Sequence, residues 1–137
     1  MSRRDFVPRI SDATRPYWEA SRARELVLQR CERCGRLVHH PREACPHCLG
    51  RDLGWVPSAG TGTVHARSVH HRPFPPLTAE DCPYVVAFVD LDDGVRLLTN
   101  LVGDDRESLT AGARVVLDWE PIGEGYHLPV FRAAEPG

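Results

Sequence analysis

The sequence predicts a mainly β chain with an N-terminal helix, in which a metal-held ribbon is followed by a five-stranded barrel of the OB type. Three observations carry this expectation. Two Cys-x-x-Cys pairs, Cys31/Cys34 and Cys45/Cys48, stand ten residues apart. From Ala59 onward the chain breaks into short β-branched runs at close spacing, with turn residues between them. Ahead of the first pair, a segment with a proline near its start and two adjacent aromatics reads as one helix. The division implied is a helical segment over 1–28, a ribbon over 29–58 and a barrel over 59–137.

Each element has its own signal. Met1 to Ile10 is a basic, irregular leader containing Pro8. Ser11 or Asp12 is placed to cap a helix from about Thr14 to about Leu26, with Pro16 in its first turn, where a missing N–H costs nothing. Leu26-Val27-Leu28 reads as a short strand into the ribbon, Pro41-Arg42 interrupts the loop between the Cys pairs, and Leu53 to Pro57 is the strand that leaves it. The first barrel strand opens at Gly60-Thr61-Gly62-Thr63-Val64 and runs to about His71, where the Pro-rich loop Arg72 to Pro83 begins. Tyr84 to Leu91 is the most buried-looking strand. Asp92-Asp93-Gly94 turns the chain back into Val95 to Val102. Asp104 to Leu109 fits one helical turn. Val115, Leu117 and Trp119 then alternate with polar residues in the half-buried period of two. Gly123 and Gly125 form the next turn, and His127 to Ala133 is the last strand, with Pro129 placing it at an edge or at a bulge. Glu135 to Gly137 reads as a loose tail.

The cysteines point to a metal. A Cys-x-x-Cys turn holds two sulfurs on one side of a tight loop, and two facing turns supply four thiolates in a tetrahedron, the closed geometry of a structural zinc site. Gly35 after the first pair and Leu49-Gly50 after the second supply the small residue that lets each knuckle close at positive φ. Zinc leads among the candidate ions, and iron also fits a four-sulfur tetrahedron. Two disulfides would suit an oxidising compartment. The fifth cysteine and the lack of a signal peptide argue instead for a reducing cytoplasm, and a redox motif would need one pair. With four thiolates available, His39, His40 and His47 are expected to face solvent. The ribbon has almost no core of its own, so the metal must hold it together.

Composition narrows the function classes. Apolar residues make up 42% of the 137, aromatics 7%, and the formal charge is −2. No apolar run approaches the roughly 20 residues a membrane span needs. All 17 basic residues are arginine. A mildly acidic chain is a poor phosphate-backbone binder, which relies on clustered positive charge. That weighs against the rival reading of a ribbon–barrel module for single-stranded nucleic acid, in which both parts also occur.

The ordered series of motifs resembles the DUF35 family of zinc-ribbon plus OB-fold acyl-CoA-associated proteins. The likeness is carried by Tyr17-Trp18, the ribbon Cys31 to Cys48 with Pro41-Arg42 inside it, Ser58-Ala59-Gly60-Thr61-Gly62-Thr63-Val64, Pro83-Tyr84-Val85-Val86-Ala87, and Gly112 leading into Val115-Val116. The resemblance implies a rubredoxin-like zinc ribbon followed by an OB-fold barrel, with Cys31, Cys34, Cys45 and Cys48 as metal ligands. It implies a cytoplasmic, non-catalytic accessory subunit of a thiolase-like enzyme, a hotdog-type hydratase or an aldolase acting on CoA thioesters. The helix and ribbon would dock the partner, and the barrel would support acyl-CoA binding.

The residues themselves offer little catalytic chemistry. Cys82 is the unpaired thiol, but Asp81 beside it would raise its pKa when a nucleophile needs it lowered. His70-His71 with Glu80 or Asp81 is the other candidate acid–base set, and a histidine pair at a strand end is more often a surface feature. A binding role has more support. Arg67, His70, His71, Arg72 and Phe74 cluster at the end of the first barrel strand and could set positive charge and an aromatic face beside an anionic, adenine-bearing ligand such as CoA. Tyr17 and Trp18 serve equally as core packing or as a docking surface for the partner.

Overall fold

The computed structural model describes residues 5–134. Helix α1 spans Arg15–Arg22. It is started by a reciprocal pair in which the Ser11 amide donates to Thr14 Oγ1 at 3.0 Å and the Thr14 amide donates to Ser11 Oγ at 3.3 Å. It stops four residues short of the expected end. Arg24 takes φ 58°, and the Arg24 and Glu25 amides donate back to the Ser21 and Ala20 carbonyls, each at 3.0 Å. That pair of bonds is a Schellman stop with arginine where glycine is usual, so the sequence carries no obvious stop signal.

The ribbon is a three-stranded antiparallel sheet of β1 (Val27–Cys31), β2 (Leu37–Val38) and β3 (Leu53–Pro57), in the order β2-β1-β3. The sequence reading missed β2, which is too short to show alternation. Buried Gln29 on β1 fixes the loop between the Cys pairs by accepting from the Arg42 amide and donating to its carbonyl, both at 2.8 Å.

The barrel contains β4 (Thr61–His70), β5 (Tyr84–Leu91), β6 (Arg96–Leu101), β7 (Arg114–Pro121) and β8 (His127–Ala133), closed in the order β4-β5-β6-β8-β7. A short helical turn over Arg106–Ser108 joins β6 to β7. This is the expected five-stranded OB barrel. At Gly62 β4 leaves no room for a side chain against β5, since a Cβ there would stand 2.6 Å from the Asp90 carbonyl oxygen. The expectation that Pro129 marks an edge or bulge is corrected. β8 runs between β7 and β6, with Pro129 paired opposite Trp119. A proline is tolerated because β8 meets β6 through a single parallel bridge, Leu101 to Phe131, so no second ladder needs its N–H. Its carbonyl accepts from the Thr99 hydroxyl at 2.9 Å.

Alternation sets the inside of the barrel. Val85, Ala87, Val89 and Leu91 point inward from β5 and meet Val64, Leu97, Leu101, Val115 and Phe131. Leu26 and Leu28, from the strand that enters the ribbon, complete the same core, with Tyr17 of α1 and Val56 of β3 packed on it. Helix, ribbon and barrel therefore share one apolar interior. Among the described residues, no helix is long and apolar enough to cross a membrane.

Candidate metal centre and binding faces

The two Cys-x-x-Cys turns are built alike. The Gly35 amide donates to the Cys31 carbonyl and the Leu49 amide to the Cys45 carbonyl, each at 2.8 Å. The Cys31 and Cys45 amides in turn reach the carbonyls of Arg36 and Gly50, at 2.9 and 2.8 Å. In the first turn Gly35 takes the left-handed position with φ 78°; in the second that position is held by Leu49 with φ 64°. The expectation of a small residue closing both knuckles is thus met only in the first.

This pairing brings four sulfurs together. All four lie within 4.8 Å of one another, with Cys31 Sγ 3.6 Å from Cys48 Sγ and Cys34 Sγ 3.7 Å from Cys45 Sγ. A metal–sulfur distance of about 2.3 Å implies tetrahedral edges of about 3.8 Å, so the shorter separations match a shared cation. They are far too long for a disulfide of about 2.05 Å, and all five cysteines are free. The Cys34 amide donates to Cys31 Sγ and the His47 amide to Cys45 Sγ, both at 3.4 Å. The Cys34 amide is the main reason the Cys31 thiol is brought down to about 7. At Cys48 the Gly50 amide pulls the same way, but burial and the neighbouring sulfurs outweigh it and push the thiol up to about 11. Crowded sulfurs resist ionising together unless a cation neutralises them, and a divalent ion does that for all four.

The histidines separate. His47 and His40 are exposed, as expected, and Arg36 Nη1 lies 3.1 Å from His47 Nδ1. His39 departs from the expectation. It packs 6.0 Å from the Tyr17 ring and 4.3 Å from the His40 ring, its Nδ1 is buried with no hydrogen-bond partner, and burial lowers its pKa to about 4. Nothing in the residue pattern around His39-His40 distinguishes the buried ring from the exposed one.

The two expected aromatic docking residues have different roles. Tyr17 packs on the shared core, and burial pushes its hydroxyl up to about 12. Trp18 stands edge-on to Tyr17 at 5.2 Å and to Tyr126 at 6.3 Å. Both border a cleft of about 220 Å³ between helix, ribbon and barrel, with His39, His40, Leu98 and Leu128.

The expected ligand cluster is only partly assembled. Register pairs Arg67 with inward Ala87 and His70 with Tyr84, so the two side chains leave opposite faces of β4. Arg67 donates to the Glu107 carbonyl at 3.0 Å. His70 stacks on Tyr84 at 4.8 Å, while His71 and Arg72 are exposed. Phe74, 74% exposed, borders a groove of about 380 Å³ that sequence reasoning did not find. Phe6, Pro75, Pro76, Leu77 and Tyr84 form much of its wall, and its floor is Val86, Asn100 and Leu128. Beyond it, the outer faces of β5 and β6 expose Phe88 and Leu98. This is the strand face with which OB barrels bind their ligands, and here its lining is apolar.

Comparison with known proteins agrees with this architecture. Residues 18–54 match the family model described as the ChsH2 rubredoxin-like zinc ribbon domain, and residues 55–120 match that of the ChsH2 C-terminal OB-fold domain. The chain belongs to the DUF35 family. A DUF35 domain-containing scaffold protein of Methanocaldococcus jannaschii is 31% identical over 72% of this chain and 70% of its own length. A probable enoyl-CoA hydratase alpha subunit of Thermomonospora curvata is 45% identical over 94% of this chain, which spans only 40% of that larger protein. Among solved structures, a chain of the Ltp2-ChsH2(DUF35) aldolase superposes with TM-score 0.82 and 44% identity, covering 93% of this DUF35 chain and 98% of that one.

Proposed function

We propose that this DUF35 chain is a non-catalytic accessory subunit of an acyl-CoA-processing enzyme, with Cys31, Cys34, Cys45 and Cys48 holding a structural zinc ion. The observation that carries this reading is the match along nearly the whole chain to the DUF35 component of an aldolase. A relative named as a hydratase subunit extends the partner class from aldolases to hydratases, and a thiolase-like enzyme is the third candidate. Zinc is favoured over iron because four thiolates form a closed site that needs no redox change to do its work.

The chemistry of the chain supports a passive role. Among the described residues, the four cysteines are the one group of three or more potential metal ligands brought together. Cys82 points at the Thr78 carbonyl at 3.8 Å rather than at a base. His70 is committed to a stack. On this reading the helix and ribbon dock the partner, and the groove beside Phe74 braces the acyl-CoA. An apolar strand face without an arginine stripe disfavours single-stranded nucleic acid as the ligand.

Co-expression with the acyl-CoA enzyme encoded beside the gene tests the reading. A stable complex whose turnover depends on this chain is the expected result. Turnover of a CoA thioester by the isolated chain refutes it. Elemental analysis of the same preparation should return one zinc per chain.

A further inference from the structure

The leader is seated against the barrel in a slot that a glycine leaves open. In the turn between β7 and β8 the Gly123 amide donates to the Phe6 carbonyl at 2.8 Å. A Cβ on Gly123 would stand 2.8 Å from Val7 Cγ2, 2.9 Å from the Asp5 carbonyl oxygen and 3.0 Å from that of Phe6. Gly123 does not take a left-handed backbone, so what keeps a side chain out of this position is the leader itself. The contact carries Phe6, half-buried, to the barrel, where it forms part of the wall of the 380 Å³ groove.

The rest of that groove is preorganised and uncharged. Phe74 to Leu77 is a tight turn in which the Leu77 amide donates to the Phe74 carbonyl at 2.8 Å, with Pro75 and Pro76 fixing φ at its central positions. Tyr84 and Val86 come from β5 on the face opposite inward Val85 and Ala87. Asn100 is held by donating to the Val85 carbonyl at 3.0 Å. Among the described residues that line the groove none is charged, and Tyr84 and Asn100 are the two with polar side-chain atoms. The adjoining cleft shares Leu77, Tyr84 and Asn100 and is lined by Asp81 and Glu120 as well as Arg106, a net acidic set. A mostly apolar concavity of about 380 Å³ with few polar groups is built like a small-molecule site.

We propose that this groove seats the apolar acyl portion of a thioester, that Phe6 is the wall that closes on it, and that the phosphates and adenine stay outside. This rests on the acyl-CoA reading above and reverses the placement expected from the sequence, in which Arg67, His70, His71, Arg72 and Phe74 stood beside the nucleotide. Of those five, Phe74 is the one that lines the groove. A phosphate gains nothing from an uncharged lining next to an acidic cleft, whereas a hydrocarbon gains with each methylene removed from water.

The test measures binding of decanoyl-CoA, acetyl-CoA and CoA to the full chain by calorimetry, with complex formation by the acyl-CoA enzyme encoded beside the gene measured separately. Decanoyl-CoA should bind about 10- to 100-fold more tightly than acetyl-CoA, the gain from burying about two or three methylenes at about fourfold each. Phe74→Ser, at a side chain 74% exposed, and Phe6→Ala should each remove most of that preference without lowering the melting temperature. Gly123→Ala should do the same from outside the groove, by displacing the leader. Equal affinity for all three compounds makes the nucleotide the bound part and overturns the assignment. So does a decanoyl preference that Phe74→Ser leaves intact, or one that Phe88→Ser lowers as much, which would put the acyl chain on the open strand face. A preference that survives in both Phe6→Ala and Gly123→Ala overturns the role of the leader as a wall. No binding of decanoyl-CoA overturns the groove, while a stable, active complex leaves the accessory-subunit reading standing. Decanoyl-CoA bound with no complex formed removes that reading and keeps the groove.

Discussion

On the proposed zinc reading, removing the metal should dissolve the ribbon and leave a weakened barrel. The apolar cluster inside the ribbon consists of Cys31, Val38 and Cys45 with Cys48 and Leu53 packed on it, so three of its five members are the sulfurs themselves. The other two, Val38 and Leu53, contribute at most about 3–6 kcal/mol by burial. Ordering even ten residues costs about 10–20 kcal/mol. A structural zinc site supplies about 10–16 kcal/mol, enough to decide the outcome. Cys45→Ser removes a buried ligand and should lose zinc to a chelator that leaves the wild type loaded. Hydrogen exchange should then become fast across 27–57 while the amides of β5 stay protected. The barrel does not escape unharmed, because Leu26 and Leu28 belong to its core. Loosening two such side chains should lower its melting temperature by roughly 10 °C. A metal-free protein with undiminished protection across 27–57 would refute the reasoning.

Three further outcomes follow from the same geometry. His39 is held neutral by burial, with a pKa near 4 against an ordinary value of 6.5; the unfolded chain takes up the proton first, so stability should decline as pH falls from 6.5 towards 4, by up to about 3 kcal/mol. His39→Phe should flatten that slope in denaturant titrations run with zinc in excess, and an unchanged slope would place the effect elsewhere, His40 included. Phe131→Ala empties the largest fully buried side chain at the one bridge joining β6 and β8; urea unfolding should report a loss of about 3–5 kcal/mol, and a loss below about 1 kcal/mol would deny that residue its central place. Gly62→Ala puts a methyl 2.6 Å from the Asp90 carbonyl and 2.8 Å from Val89 Cγ1; the strands must part, and a destabilisation of about 1–3 kcal/mol is expected, measurable as a lower melting temperature.

What the sequence disclosed depended on whether a signal was periodic or local. The barrel strands were legible because Val85, Ala87, Val89 and Leu91 alternate with outward residues over a full strand, and the metal ligands because their spacing has few uses. The end of α1 was not legible, since Arg24 supplies by backbone hydrogen bonding what glycine normally announces. Strand β2 has two residues and no room for a pattern. The groove beside Phe74 is assembled from the leader, the Pro-rich loop and three strands, so it exists only once the barrel has closed. Arg67 and His70 looked like neighbours in the sequence, yet the pleat sends them to opposite faces.

The shared core gives the accessory reading its mechanical sense. If the ribbon were tethered by a flexible linker, docking at its tip would say nothing about where the barrel lies. Instead Leu28 of β1 and Val56 of β3 pack into the core that Val64 and Phe131 build from the barrel side, and α1 is tied down where the His127 amide donates to Ser21 Oγ at 3.3 Å, with His127 Nδ1 2.9 Å from the Ser21 carbonyl. On the proposed metal reading an ion would stiffen the knuckles, which run into β1 and β3, and those strands pack Leu28 and Val56 into the shared core. A partner gripping the knuckles, as proposed, would therefore also fix the orientation of the apolar β5–β6 face. Positioning of that kind can affect a reaction strongly without contributing a reacting atom, because a misplacement of about 1 Å can cost about 100-fold in rate. If the chain is the non-catalytic subunit proposed above, it can thus still be required for turnover.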